Sequence, residues 1–96
     1  MDEQYQKFIT SRQEPLRLSI ALAEFDRTDG EIQAAYLQYL HRRLQPAAAA
    51  LIEADDTERL SKLTEQGWFT SKLTDSLIRL AQEKKKTAAL VWLLRW

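Results

Sequence analysis

The chain contains no cysteine, which excludes a disulfide framework and any thiolate metal site. A reducing compartment suits such a chain, and a cytoplasmic location is the expectation. Glycine and proline occur only twice each. Two isolated glycines, Gly30 and Gly67, cannot build the glycine-rich cradle that holds a phosphate group. The single histidine, His41, has no cysteine partners, and the chain offers no recognised zinc-ligand spacing. Net charge is lacking too: 14 lysines and arginines balance 14 aspartates and glutamates, so bulk electrostatics favours neither nucleic acid nor an anionic membrane. The longest unbroken apolar run, Ala88 to Leu94, falls far short of the about 20 residues of a spanning helix. The polar amino end, MDEQYQKFITSRQEP, has neither the basic start nor the apolar run of a secretory signal, so export by that route is not expected.

What remains is a helix-forming composition. Ninety-six residues, 45% apolar and 29% charged, correspond to one soluble globular domain with room for one core. Alanine, leucine, glutamine, glutamate, lysine and arginine dominate and β-branched residues are few, which predicts an all-α fold.

In chain order, Tyr5, Phe8 and Ile9 form the apolar stripe of a first, docking helix over residues 1–15. Pro15 ends that helix and suits the first turn of the next. Residues 16–25, LRLSIALAEF, are apolar on more than one side, as in a helix packed between neighbours. Thr28 and Glu31 have the spacing of a capping box, with Asp29 as the alternative cap. Ile32, Ala35, Tyr36, Tyr39, Leu40 and Leu44 then recur at three- and four-residue steps. His41, Arg42 and Arg43 stand where positive charge complements a helix carboxyl end. Pro46 restarts the chain into an alanine-rich helix. Asp55 and Glu58 form a second box, opening a helix that presents Leu60 and Leu63 and closes at Gly67. Thr70 caps a helix carrying Leu73, Leu77, Leu80 and Ala81, which runs into Lys84, Lys85 and Lys86. The last segment, TAALVWLLRW, is apolar nearly all round.

The carboxyl-terminal half matches itself at an offset of 30 residues: Ala47, Ala48 and Ala50 fall on Leu77, Ile78 and Leu80, Glu53 on Glu83, and Thr57, Leu60 and Leu63 on Thr87, Leu90 and Leu93. A fixed period of roughly 20 to 50 residues is the signature of stacked supersecondary units. Residues 77–94, LIRLAQEKKKTAALVWLL, resemble the helix-turn-helix half of an ankyrin repeat: Leu80 and Ala81 match the leucine-alanine pair of its first helix, and Leu90, Leu93 and Leu94 the leucines ending its second. Residues 48–67 look like the same unit, with Gly67 where a glycine ends the second helix, and in residues 16–44 Leu22 and Ala23 occupy the places of Leu80 and Ala81. The threonine-proline-leucine-histidine start of the family and its hairpin loops are absent from all three. The resemblance implies stacked antiparallel helix pairs, an ankyrin-like α-solenoid of about three units spanning 16–45, 46–69 and 70–96. An irregular helical bundle is the alternative. It also implies a scaffold that binds other proteins without catalysis or cofactor.

The residues that carry chemistry elsewhere have local readings here. Ser11, Ser19, Ser61, Ser71 and Ser76 stand in no nucleophile elbow. Glu53, Asp55, Asp56 and Glu58 follow neither a calcium-loop order nor an acid-base pairing, and they lie where negative charge favours a helix start. Lys84–Lys86 form the one basic run, the basis of an alternative reading as a nucleic-acid-binding helix-turn-helix. The aromatics point further. Trp68, Phe69, Leu93 and Trp96 are the candidate partner-binding residues, because an apolar terminal helix without a polar outer face needs a cover. The cover is expected to be another protein, the rest of a longer parent chain, or a second copy in a homodimer.

Overall fold

The computed structural model describes residues 2–95, and among them seven α-helices and no strand. They are α1 (Glu3–Thr10), α2 (Glu14–Glu24), α3 (Gly30–Arg42), α4 (Leu44–Glu53), α5 (Thr57–Thr64), α6 (Ser71–Glu83) and α7 (Thr87–Arg95). The all-α class predicted from composition is the class observed. No helix among the described residues is long and apolar enough to cross a membrane. The chain divides into two compact units, Met1–Leu44 and Gln45–Trp96.

In the first unit α2 packs against both α1 and α3. Asp2 opens α1 by accepting from the N–H groups of Gln4 and Tyr5 at 2.9 and 3.2 Å. Pro15 lies in the first turn of α2, where its missing N–H is no loss. Phe8, Ile20, Ala21, Leu22, Phe25, Tyr36, Tyr39 and Leu40 are buried. The box expected from Thr28 and Glu31 does not form: Thr28 turns its hydroxyl back to the Glu24 carbonyl at 2.9 Å. Asp29 holds the cap position of α3 in extended backbone, without a side-chain cap hydrogen bond.

In the second unit α6 packs against α7, and α7 also meets α5; the tight turns that join α4 to α5 and α6 to α7 follow one hydrogen-bond pattern. In the first turn Asp55 N–H donates to the Ile52 carbonyl and Asp56 N–H to that of Leu51, both at 2.9 Å. In the second, 30 residues on, Lys85 N–H donates to Gln82 at 3.2 Å and Lys86 N–H to Ala81 at 2.9 Å. Each pair is a Schellman closure, which demands one left-handed residue just past the helix. Asp55 and Lys85 supply it, at φ 53° and 56°. Thus Asp55 finishes α4, and the cap of α5 passes to Asp56, whose Oδ1 accepts from Arg59 N–H at 3.1 Å. That is one residue later than the Asp55–Glu58 box expected from spacing. Asp55 does cap a helix, though a distant one: its Oδ1 accepts from Ala89 N–H, in the first turn of α7, at 2.8 Å. Gly67 takes φ 80° and Thr70 accepts from Leu73 N–H at 3.1 Å, the turn and cap expected of both. Ala47, Ala48, Leu51, Ile52, Leu60, Leu63, Leu77, Ala81, Ala89 and Leu93 are buried.

The two left-handed positions respond differently to glycine. Lys85→Gly should stabilise the chain by about 1 kcal/mol, because it relieves the Cβ crowding of that conformation and removes no bond. Asp55→Gly gains the same relief and loses the cap of α7, so no net gain is expected, while Asp55→Ala should cost about 2 kcal/mol from the lost cap and the strain together. Urea-unfolding midpoints measure all three; an equal gain for both glycines would show that the Asp55–Ala89 bond contributes nothing.

Candidate functional site

Two surfaces stand out, one in each unit. In the second, α7 directs Ala89 and Leu93 into the core, which leaves the other side of a mostly apolar helix facing out. Val91 is 44% and Leu94 63% exposed. Val91 and half-buried Trp92 line an open hollow of about 590 Å³ with Asp55, Thr57, Thr87, Ala88 and Arg95.

The four residues singled out from the sequence do not form one patch. Leu93 is inside, only 2% exposed. Trp68 and Phe69 are half-buried in the segment between α5 and α6, and Phe69 lines a separate depression of about 250 Å³ with Thr70, Ser71, Thr74 and Asp75. Trp96 lies outside the described residues. Val91 and Leu94 were not singled out. They follow once Leu93 is fixed as inward, for positions two before and one after it lie about 200° and 100° around the helix.

The first unit carries a cleft of about 500 Å³. One wall is the α1 stripe Tyr5, Phe8 and Ile9; the other is the α3 stripe Ala35, Gln38, Tyr39 and Arg42, with Arg43 beyond; Arg17 of α2 lies between. Phe8 organises it. Its ring meets Tyr36 and Tyr39 edge-on, with centroids 4.9 and 5.2 Å away, and the Arg17 guanidinium rests 4.9 Å from the Phe8 centroid and 4.8 Å from that of Tyr39. Arg17 Nε also donates to the Phe8 carbonyl at 3.1 Å. Beside the cleft, Glu14 Oε2 accepts from the Tyr39 hydroxyl at 2.6 Å and from Arg43 Nε at 3.3 Å, and Oε1 from Arg17 at 3.4 Å. The Tyr39 bond, against a smaller opposing effect of burial, and then Arg43 hold the Glu14 carboxyl below its usual range. Burial, then the bond to Glu14, push the Tyr39 hydroxyl up.

The other polar groups weighed from the sequence have structural roles. Glu53 pairs with Lys84 at 3.8 Å, Asp55 and Asp56 cap helices, and Glu58 pairs with Lys62 at 3.7 Å. The lysine run is the second Schellman turn, with Lys86 donating to Ala81. His41 is exposed on the last turn of α3. No group of three or more His, Cys, Asp or Glu placed to hold a metal occurs among the described residues.

Similarity adds nothing to this geometry. No protein-family model, curated protein or solved structure matches the chain.

The aromatic cluster contains one unmet polar atom among the described residues: the Tyr36 hydroxyl is buried with no hydrogen-bond partner. Burial, then the charges of Asp2 and Glu24, push its pKa up to about 12. In the unfolded chain a tyrosine ionises near about 10, so this contribution to stability is intact below that pH and is lost as the pH climbs towards the folded value. Tyr36→Phe removes an unsatisfied group and keeps the ring, and should leave stability unchanged or raise it by up to about 1 kcal/mol at pH 7. Its urea midpoint should also fall less steeply than that of the parent chain above pH ~10. A clear loss of stability at pH 7 would mean that the hydroxyl has a partner after all.

Proposed function

We propose that this chain is a non-catalytic interaction module, an ankyrin-like helical repeat of the cytosol, that binds another protein through the outward side of α7. The observation carrying the reading is the coincidence of the 30-residue offset in sequence with the same offset in the Schellman bonds of 51–56 and 81–86. Helix-turn-helix elements closed by the same turn are what solenoids are stacked from, and such arrays mostly serve as binding surfaces. The terminal helix of this pair leaves Val91 and Leu94 uncovered beside Trp92, and tryptophan and leucine side chains on an uncovered helix are what a partner's apolar surface covers.

The same face serves a second copy of the chain, and that is the second reading, since α7 needs only an apolar cover. A nucleic-acid role rests on Lys84–Lys86, of which one pairs with Glu53 and two form the turn itself. It is the weaker proposal.

Affinity capture from a cytosolic extract, compared between the parent chain and Val91→Asp/Leu94→Asp, tests the reading. Both positions are exposed, so the double variant should keep its melting temperature, whereas partner binding should weaken by roughly 30-fold or more, the size of a lost interface hot spot. Molar mass in solution assigns the occupant: a dimer that becomes a monomer in the variant identifies a second copy. Retention of the same partners by both chains would exclude this face. Leu93→Asp is unsuitable for this purpose, because it places a carboxylate in the core.

A further inference from the structure

The cleft of the first unit has no part in the function assigned to α7. Ala35, Gln38, Tyr39 and Arg42 fall at three- and four-residue steps, so one face of α3 presents aromatic, amide and guanidinium groups along one wall, opposite Tyr5, Phe8 and Ile9 of α1. We propose that this cleft binds a peptide segment of a partner protein in which an apolar side chain stands beside a carboxylate.

Charge is the first reason. Arg17, Arg42 and Arg43 line the cleft and no acid does; Glu14, alongside, offsets one of the three. The second reason is that Glu14 displays the chemistry the site accepts. A carboxylate of the chain itself already takes the Tyr39 hydroxyl, Arg43 and Arg17. Arg42 and Gln38, one turn apart in the lining, have no side-chain partner among the described residues. A planar guanidinium beside an amide N–H₂ matches the two oxygens of a carboxylate. The third reason is apolar. Ile9 is 48% exposed on the rim, next to Tyr5 and Phe8, where a partner's aliphatic side chain would cover it. A polyphosphate has nothing to place on that half. The cleft is only partly enclosed, so a small acid would keep part of its surface in water, whereas small-molecule sites bury about 70–90% of their ligand. Glu14 is then an internal competitor, holding Tyr39 and Arg43 until a partner's acid draws on them.

The test is a titration of the full ¹⁵N-labelled chain, followed by amide shifts, with four probes: a capped hexapeptide of alternating leucine and glutamate, its leucine–glutamine counterpart, free glutamate, and a single-stranded oligonucleotide. Saturable shifts confined to the backbone around Phe8, Arg17, Gln38 and Arg42, seen with the leucine–glutamate peptide and weakened by salt, are expected. Arg42→Glu and, separately, Ile9→Asp should each weaken that binding about tenfold or more, and both side chains are exposed, so melting temperatures check that the fold persists. Glu14→Gln should tighten it several-fold, where loss of a purely structural ion pair would weaken it. The assignment is overturned if the leucine–glutamate peptide gives no saturable shift at these residues, or if the glutamine peptide, free glutamate or the oligonucleotide binds as well.

Discussion

Every helix among the described residues is short, eight to thirteen residues, and helices below roughly 12–15 residues are marginal in water by themselves. Regular structure therefore depends on what ties the helix ends and what covers one face of each. Asp2, Asp56 and Thr70 satisfy amino-terminal N–H groups locally, and two Schellman turns satisfy carboxyl-terminal carbonyls. Asp55 belongs to both kinds of closure. Its backbone ends α4 and its carboxylate starts α7, so one residue couples two helices far apart in the chain. Its type is physically apt: aspartate tolerates the left-handed region better than most residues and carries the acceptor that a helix start needs. Lysine at the equivalent place, Lys85, has only the strain.

In the first unit the corresponding element is Phe8. A helix of eight residues buries little, and α1 compensates with an aromatic ring set against two tyrosines of α3 and an arginine of α2. Edge-on aromatic pairs contribute about 0.5–1.5 kcal/mol beyond their buried area, and the arginine completes the cluster while leaving its charge at the surface. The same bulk shapes the cleft. Rings and a guanidinium fill the space between α1 and α3 incompletely, so the packing that attaches α1 also leaves the hollow that its stripe and that of α3 line. The unpartnered Tyr36 hydroxyl belongs to this compromise, since the ring is needed at a depth where its oxygen finds no acceptor.

The sequence made the helices legible because that information is local. Three- and four-residue spacing located most of each buried face, although Ile9 of the α1 stripe is exposed; Pro15 marked the start of α2, and Gly67 and Thr70 the turn and cap around α6. Where the reading slipped, two structures competed for the same residues. Asp55–Glu58 and Asp56–Arg59 are equally good cap spacings, and only the left-handed closure of α4 decides between them. Thr28 had the right spacing to cap α3, but a nearer carbonyl, that of Glu24, took its hydroxyl. The bond from Ala89 to Asp55 spans 34 residues and leaves no periodic trace. The α7 surface was half legible: an all-apolar helix must expose something, yet spacing alone did not say that Leu93 faces in and Leu94 out. The cleft was not legible, because Glu14 and Arg17 come from α2 and Tyr39 and Arg43 from α3 and its end, and Arg42 and Arg43 already had a sufficient local explanation in the end of α3.

Neutrality of the whole chain is compatible with this local asymmetry. A balanced total says only that charges cancel somewhere, and here the cancellation is uneven. Between residues 53 and 58 each acid meets a helix start or a lysine at short range, which offsets its charge locally. Around the Phe8 cleft one carboxylate stands against three guanidiniums, of which one has no partner among the described residues. Interactions between exposed charges fade beyond a Debye length of about 8 Å at physiological salt. A visiting group therefore responds to the local sum and not to the total, and the positive excess of the cleft is felt in full by a ligand that reaches it.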